Sequence, residues 1–327
     1  MAIDSLGYRW YGTSLGASRF DGVHYDNFTN IANDIPEISS NSIRNIICYK
    51  EDIIFLNSDG LLFTYNLAKS LTKLDVFKIT DKSNNLIRIS NICKSTIENI
   101  VFGFDNKNNI YKINIKKLTY ELANWSIDKD NLFNKVQCSI NIGNSIWIGA
   151  ANGLFEFDLV KNKIQNIPFA HLIPDTSKYY AVGSIDRFDE NSIVFGSSKA
   201  SLSSFKGMIL YNKKFKKIER LDIIGFNNVP LSSLYCKVSS IKDSLLCIIP
   251  GGKGPIIYNF KTNTYDTIPV TKNKNQLNTI SIGPCHMDDK GKFTICTNQG
   301  LFIHEPFSSA FEGERFNIDY WVIFVSV

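Results

Sequence analysis

A twelve-residue pattern that occurs twice constrains this chain more than any other feature. Trp147-Ile148-Gly149-Ala150-Ala151-Asn152-Gly153-Leu154-Phe155-Glu156-Phe157-Asp158 is matched position by position by Trp10-Tyr11-Gly12-Thr13-Ser14-Leu15-Gly16-Ala17-Ser18-Arg19-Phe20-Asp21. Weaker copies lie at 53–66, 100–114, 193–212, 245–259 and 293–304. Each has an apolar strand, a Gly- or Asn-rich turn and a second strand ending in an aromatic residue or Ile. The last apolar residues of these second strands are Phe20, Tyr65, Ile113, Phe157, Tyr211, Tyr258 and Ile303, at steps of 45, 48, 44, 54, 47 and 45 residues. Seven units of roughly 40–50 residues match the blade period of β-propellers. The long step contains an insertion at 197–206.

Each unit reads as four strands. An alternating apolar run precedes the Trp or its substitute at 43–49, 87–93, 136–142, 180–185, 234–239 and 278–282. The Trp strand, the aromatic-ending strand and a fourth strand after a polar turn follow. Helical periodicity never persists over three turns. Aromatics make up 13% of the chain, which favours sheet, because rings pack well on a pleated surface. The expected fold is therefore all-β, a seven-bladed propeller of four-stranded antiparallel blades over residues 1–306. Radial closure is expected because an open stack of such units would leave two apolar faces in water. The first unit has a short opening strand, since only Met1–Asp4 precede its turn. The remaining segment, 307–327, reads as a last outer strand. Its apolar end, Tyr320–Val327, reads either as the missing ring-closing strand or as a truncated tail.

Asp4-Ser5-Leu6-Gly7-Tyr8-Arg9-Trp10-Tyr11-Gly12-Thr13 with Ser18-Arg19-Phe20-Asp21-Gly22 resembles the two-component regulator propeller repeat, D-x-x-G-x-[LI]-W-[IF]-G-T-x-x-G-L-x-[RE]-[FY]-D. The copy at Trp147–Asp158 resembles it as closely. In the other copies Ile54, Val101, Val194, Leu246 and Phe293 are read as standing for the Trp. The resemblance implies the periplasmic sensor region of a bacterial hybrid two-component histidine kinase. Such sensors respond to ligands, often oligosaccharides, and pair two propellers with a β-sandwich, a membrane span, a kinase and a response regulator. The present chain carries one propeller's worth of repeats. Its first residues have no basic region and no apolar stretch, so they do not read as a signal peptide, and a cytoplasmic location stays open beside the periplasmic one.

Few chemistries fit the side chains. The net charge of +5 is too small and too dispersed for a nucleic-acid binder. The lysine runs at 114–117 and 213–217 fall on outer hairpins, where Lys guards strand edges. No apolar stretch is long enough for a membrane helix. Seven Cys, an odd number with no CxxC, read as small buried hydrophobes rather than as disulfides or a zinc site. The four His show no metal-ligand spacing. Cys285-His286-Met287-Asp288-Asp289 leads into an expected turn, and Gly251-Gly252-Lys253-Gly254 lacks the context of a phosphate loop. No catalytic constellation, cofactor motif or metal site is expected. Trp10 and Trp147 are expected to pack between blades, and Trp125 and Trp321 lie off the repeat.

Propeller geometry puts a ligand at the channel mouth, where the innermost strands begin. The candidates there are Arg44, Arg88, Gln137, Tyr179, Tyr180, Tyr235 and Asn278. Arginine forks suit carboxylates and hydroxyls, and aromatic faces suit sugar C–H surfaces. The expected function is a non-catalytic sensor of a small molecule or oligosaccharide, partnered by a second propeller or a second copy of itself. The alternative is a stand-alone protein-binding scaffold propeller. A propeller enzyme is disfavoured, because no carboxylate pair reaches the expected mouth.

Overall fold

The computed structural model describes residues 1–28, 40–69, 74–123, 126–127, 133–172, 181–198, 208–221, 237–241, 245–249, 256–259, 262, 264–267, 282–287, 293–297, 300–304 and 320–322. They form two compact units, Met1–Pro168 and Phe169–Val327.

The first unit carries four sheets. The first sheet is β1 (Ala2–Ile3), β2 (Arg9–Thr13), β3 (Gly16–Phe20) and β4 (Tyr25–Phe28). The second is β5 (Ile43–Tyr49), β6 (Asp52–Asn57), β7 (Leu62–Asn66) and β8 (Asp75–Phe77). The third is β9 (Ile89–Lys94), β10 (Ile100–Asp105), β11 (Ile110–Asn114) and β12 (Thr119–Leu122). In the fourth, β13 (Ser126–Ile127) lies parallel on the outside of a meander of β14 (Val136–Ile142), β15 (Ser145–Ala150), β16 (Gly153–Asp158) and β17 (Lys163–Ile167).

The second unit carries three four-stranded meanders. The fifth sheet is β18 (Ala181–Arg187), β19 (Ser192–Ser198), β20 (Met208–Asn212) and β21 (Lys217–Leu221). The sixth is β22 (Lys237–Ile241), β23 (Leu245–Ile249), β24 (Ile256–Asn259) and β25 (Thr264–Thr267). The seventh is β26 (Ile282–Met287), β27 (Phe293–Thr297), β28 (Gly300–His304) and β29 (Tyr320–Val322). In it Tyr320 pairs with Ile303 and Trp321 with Phe302, so this part of the apolar tail is an outermost strand. Residues 323–327 lie outside the described residues, as does Trp125.

Within the first unit the sheets converge on their first strands, with β1 against β5, β5 against β9 and β9 against β14. Successive side chains of a strand point to opposite faces, and here both faces are apolar. Ile53 and Phe55 of β6 pack toward sheet one with Trp10, Phe28, Phe63 and Tyr65. Ile54 and Leu56 pack toward sheet three with Val101, Tyr111 and Ile113. Phe102 and Phe104 pack toward sheet four with Phe133, Ile148 and Phe155.

This alternation corrects three readings of the repeat. Trp10 pairs with Arg19, the residue before the Phe20 anchor, and Trp147 pairs with Glu156, the residue before Phe157. The same register selects Ile54, opposite Thr64, and Val194, opposite Leu210, as expected. In the third, sixth and seventh sheets it selects Phe102, Cys247 and Ile295 instead of Val101, Leu246 and Phe293. Val101 faces back toward sheet two, whereas Phe102 fills the forward slot that Trp10 fills in sheet one. Counting along an apolar run cannot tell two adjacent residues apart when both faces are buried.

Trp10 is fully buried. Its ring centroid lies 5.3 Å from Phe28, 5.4 Å from Phe55 and 5.2 Å from Tyr65. Its Nε1 donates to Asp4 Oδ2 at 2.7 Å, while Asp4 Oδ1 accepts the backbone N–H groups of Leu6 and Tyr8. The Asp and the Trp of the motif are thus one device: the carboxylate builds the β1–β2 turn and anchors the indole. Gly7, at φ +83°, completes that turn.

A second device recurs after the anchor residue. Asp21, Asn66, Asn114, Asp158, Asn212 and Asn259 each accept one or more backbone N–H bonds from the turn that follows. These are Asx turns, and they set the length of each outer hairpin.

Two predictions follow from this packing. Trp10→Phe keeps the ring contacts and removes the only donor to Asp4 Oδ2 named above. Urea denaturation is expected to show a loss of about 1–3 kcal/mol, and no change would show that the carboxylate does not anchor the indole. At Gly12 a Cβ would stand 2.5 Å from the Ile43 carbonyl oxygen, whereas at Gly103 its nearest neighbour is the end of the Ile113 side chain at 2.9 Å. Gly12→Ala is expected to cost about 1–3 kcal/mol, and Gly103→Ala less. Equal losses in the same assay would contradict a backbone close approach between sheets one and two.

Candidate functional site

Several first strands begin with a register shift, whereas β22 pairs with β23 without one. In β5 an extra residue, Arg44, stands between Ile43, opposite Asn57, and Asn45, opposite Leu56. In β9 the extra residue is Ser90, in β14 Gln137 and in β18 Gly183. β26 has a register shift between Ile282 and Cys285. The four single-residue bulges fall at 44, 90, 137 and 183, close to the repeat step. A β-bulge bends its strand, sharpens the twist and re-aims a side chain. Arg44, Gln137 and Gly183 are exposed, and Ser90 is half-buried.

Neighbouring elements hold the bulges in place. Gly12 approaches Ile43, the residue before the Arg44 bulge. Gly60 stands at the equivalent place before the Ser90 bulge, and its carbonyl accepts the Ile89 N–H at 2.8 Å. Ser90 Oγ donates to the Phe104 carbonyl at 2.9 Å. The residues after the bulges stitch one first strand to the next. Asn45 Nδ2 donates to the Ile92 carbonyl at 3.1 Å, and Asn91 Nδ2 to the Gln137 carbonyl at 3.3 Å. Ser139 Oγ donates to Asn91 Oδ1 at 2.7 Å.

Of the seven candidates read from the sequence, three are described. Arg44 and Gln137 are bulge residues at the start of their strands. Arg88 is exposed one residue before β9, and its Nη1 donates to the Asp59 carbonyl at 2.9 Å. It stands two residues short of the bulge because Ile87 is still held by Ile79, whose carbonyl accepts the Ile87 N–H at 2.8 Å. Tyr179, Tyr180, Tyr235 and Asn278 lie outside the described residues, as do 199–206 of the insertion, the 251–254 run and Asp288-Asp289. The sequence reading did not include Ser90 and Gly183, although successive steps of 46 or 47 residues from Arg44 reach both.

The far end of the same strands is closed by hydrogen bonds. The Tyr49 hydroxyl donates to the carbonyls of Ser95 and Ile100, the latter at 2.6 Å, and burial raises its pKa. Lys94 Nζ donates to the Cys48 carbonyl at 2.7 Å and lies 4.7 Å from the Tyr49 ring centroid. Lys50 pairs with Glu98 at 2.6 Å. Among the described residues no group of three or more His, Cys, Asp or Glu side chains could hold a metal ion. No helix among them is long and apolar enough to cross a membrane.

At the bulged end, a guanidinium and a carboxamide exposed at strand starts can offer several N–H donors and one acceptor to hydroxyls or carboxylates. That arrangement suits recognition.

No family model and no curated protein matches the chain. Among solved structures it is similar to the extracellular domain attributed to the hybrid two component system BT3049 from B. thetaiotaomicron. The TM-score is 0.69 and the identity 18%, over 93% of this chain and 39% of that one. The extracellular domain attributed to BT4673 from the same organism gives 0.65 and 14%, over 92% and 37%. The WD40 domain of Neurospora crassa Pan2 gives 0.60 and 11%, over 94% and 88%. At these identities the likeness shows the fold, a β-propeller of four-stranded antiparallel sheets. The chain spans less than two fifths of either extracellular domain.

Cys48 and Cys93 are buried on the first strands, and burial pushes both thiols up to about 12. Only thiolates react readily. Iodoacetamide at pH 8, read by peptide mass spectrometry, is expected to leave both unmodified in the folded protein and to alkylate both in urea. Rapid labelling of the folded protein would contradict the enclosed positions.

Proposed function

We propose that the chain is a non-catalytic, ligand-sensing propeller of seven blades, comparable in role to the extracellular part of a hybrid two-component system. The recurrence of a bulge at the start of successive first strands carries this reading. At two of these bulges, Arg44 and Gln137, an exposed polar side chain stands at the start of its strand, and such positions suit a binding rim. Seven sheets at the repeat step among the described residues support the blade count.

The proposed ligand is an oligosaccharide or a related acidic sugar. Arg44 and Arg88 would fork onto carboxylate or hydroxyl oxygens, and Gln137 would exchange hydrogen bonds with a hydroxyl pair. Tyr179, Tyr180 and Tyr235 would cover apolar ring faces, with Asn278 as a further amide. The proposed setting is periplasmic. Binding would favour one of two arrangements against a second propeller or a second copy of the chain, and so pass the signal on.

Isothermal titration against neutral and uronic-acid oligosaccharides is expected to find at least one binder. For a uronic-acid ligand, Arg44→Ala and Gln137→Ala should each weaken binding about ten-fold or more. Absence of binding across the panel, or unchanged affinity in both variants, would overturn the proposed site.

A further inference from the structure

Within the first unit, β14 differs from the first strands before it. β5 is buried from Ile46 to Tyr49 and β9 from Asn91 to Cys93, whereas β14 is half-buried from Cys138 to Ile142. Its contact with β9 differs too. Between β5 and β9, the buried side chains of Ile47, Tyr49, Ile89 and Ile92 share one apolar cluster. On β14, Ser139 and Asn141 stand two residues apart, hence on one face of the strand, and both turn polar groups toward sheet three. Beyond Val136, no residue of β14 belongs to the apolar cluster between sheets three and four.

Hydrogen bonds hold β14 to sheet three at both ends. At the bulged end, the buried Asn91 side chain spans the Gln137 bulge. Its Nδ2 donates to the Gln137 carbonyl at 3.3 Å, and its Oδ1 accepts from Ser139 Oγ at 2.7 Å. At the other end, Asn141 Oδ1 accepts the Thr96 N–H at 2.6 Å, and the Thr96 hydroxyl donates to the Gly143 carbonyl at 3.3 Å. Such bonds add little net free energy, because water replaces them when they break. A strand held mainly in this way opens at lower cost than one locked by interdigitated apolar side chains.

We propose that this seam is a clasp with two arrangements, closed on sheet three along its length or released at both ends together, and that ligand held by Gln137 shifts the balance between them. Resting on the ligand site proposed above, the clasp lets occupancy be read at the opposite end of the sheet. β14 pairs with β15 without a break from Cys138 to Ile142. Asn91 and Thr96 therefore grip one continuous strand, and loss of either grip weakens the other. Coupling between two sites is reciprocal, so a change at the Thr96 end is felt at the bulge with or without ligand.

The test needs no ligand. Cys138 directly follows the bulge, and burial pushes its thiol up to about 12, so its alkylation reports opening at that end. The full chain is treated with iodoacetamide at pH 8, and Cys138 is followed by peptide mass spectrometry beside Cys48, the reference on β5. Asn141→Ala removes the acceptor for the Thr96 N–H. Thr96→Val removes only the hydroxyl bond, leaves the sequence of β14 unchanged, and serves if the first variant does not fold. Each is expected to speed labelling of Cys138 about five-fold or more while Cys48 stays protected. A Cys138 rate that changes in neither variant overturns the clasp. Equal acceleration of Cys48 also overturns it, because the whole unit would then have loosened. Neither result touches the ligand site, which fails separately if no oligosaccharide binds.

Discussion

Burial of both faces of each four-stranded sheet is the constraint on which the first unit depends. A sheet with one wet face would show apolar residues only at every second position. β6 instead reads Ile53, Ile54, Phe55, Leu56, and all four are buried. Such a sheet has no stable existence alone and needs a neighbour on either side. The packing of Trp10 on Phe55 and Tyr65, of Ile54 on Val101 and of Phe102 on Phe155 follows from this need.

Face-to-face packing of twisted sheets leaves a problem at the convergent edge, where the first strands meet. There Gly12 of β2 and the turn residue Gly60 lie against the next sheet's first strand, so closely that a Cβ would stand 2.5 Å from the Ile43 carbonyl oxygen and 2.9 Å from that of Ile89. Each of these first strands bulges one residue later, at Arg44 and at Ser90. The same distortion leaves Arg44 exposed, whereas Ser90 stays half-buried and donates to the Phe104 carbonyl. Packing and candidate binding rim are in this sense one feature, and the hydrogen bonds from Asn45 and Asn91 to the next strand hold it in place.

The two ends of the sheets differ in chemistry for a related reason. At the bulged end, arginine and amide side chains stand at strand starts, beside backbone groups already engaged between sheets. At the opposite end, Asx turns close the outer hairpins, and Leu118, Val160 and Phe215 are exposed there. An outer edge strand gains from lysines that repel a second edge.

The chain's local pattern specified several strands closely and others only in part, since β26 (Ile282–Met287) shares one residue with the run read at 278–282. β5 and β14 span the apolar runs read at 43–49 and 136–142, because consecutive strands pair through short hairpins whose turn residues lie in the same stretch of sequence. The Asp4–Trp10 motif was legible for the same reason, since the carboxylate and the indole it holds are six residues apart. Three-dimensional packing alone decided the rest. Whether Val101 or Phe102 faces forward depends on the sheet that lies on each side. The extra residue at Ser90 depends on contacts with Gly60 and Phe104, and the seam between first strands joins atoms 46 to 48 residues apart. Periodicity reports which residues are buried. It carries no information about which neighbour buries them, and the candidate rim is built from that second kind of contact.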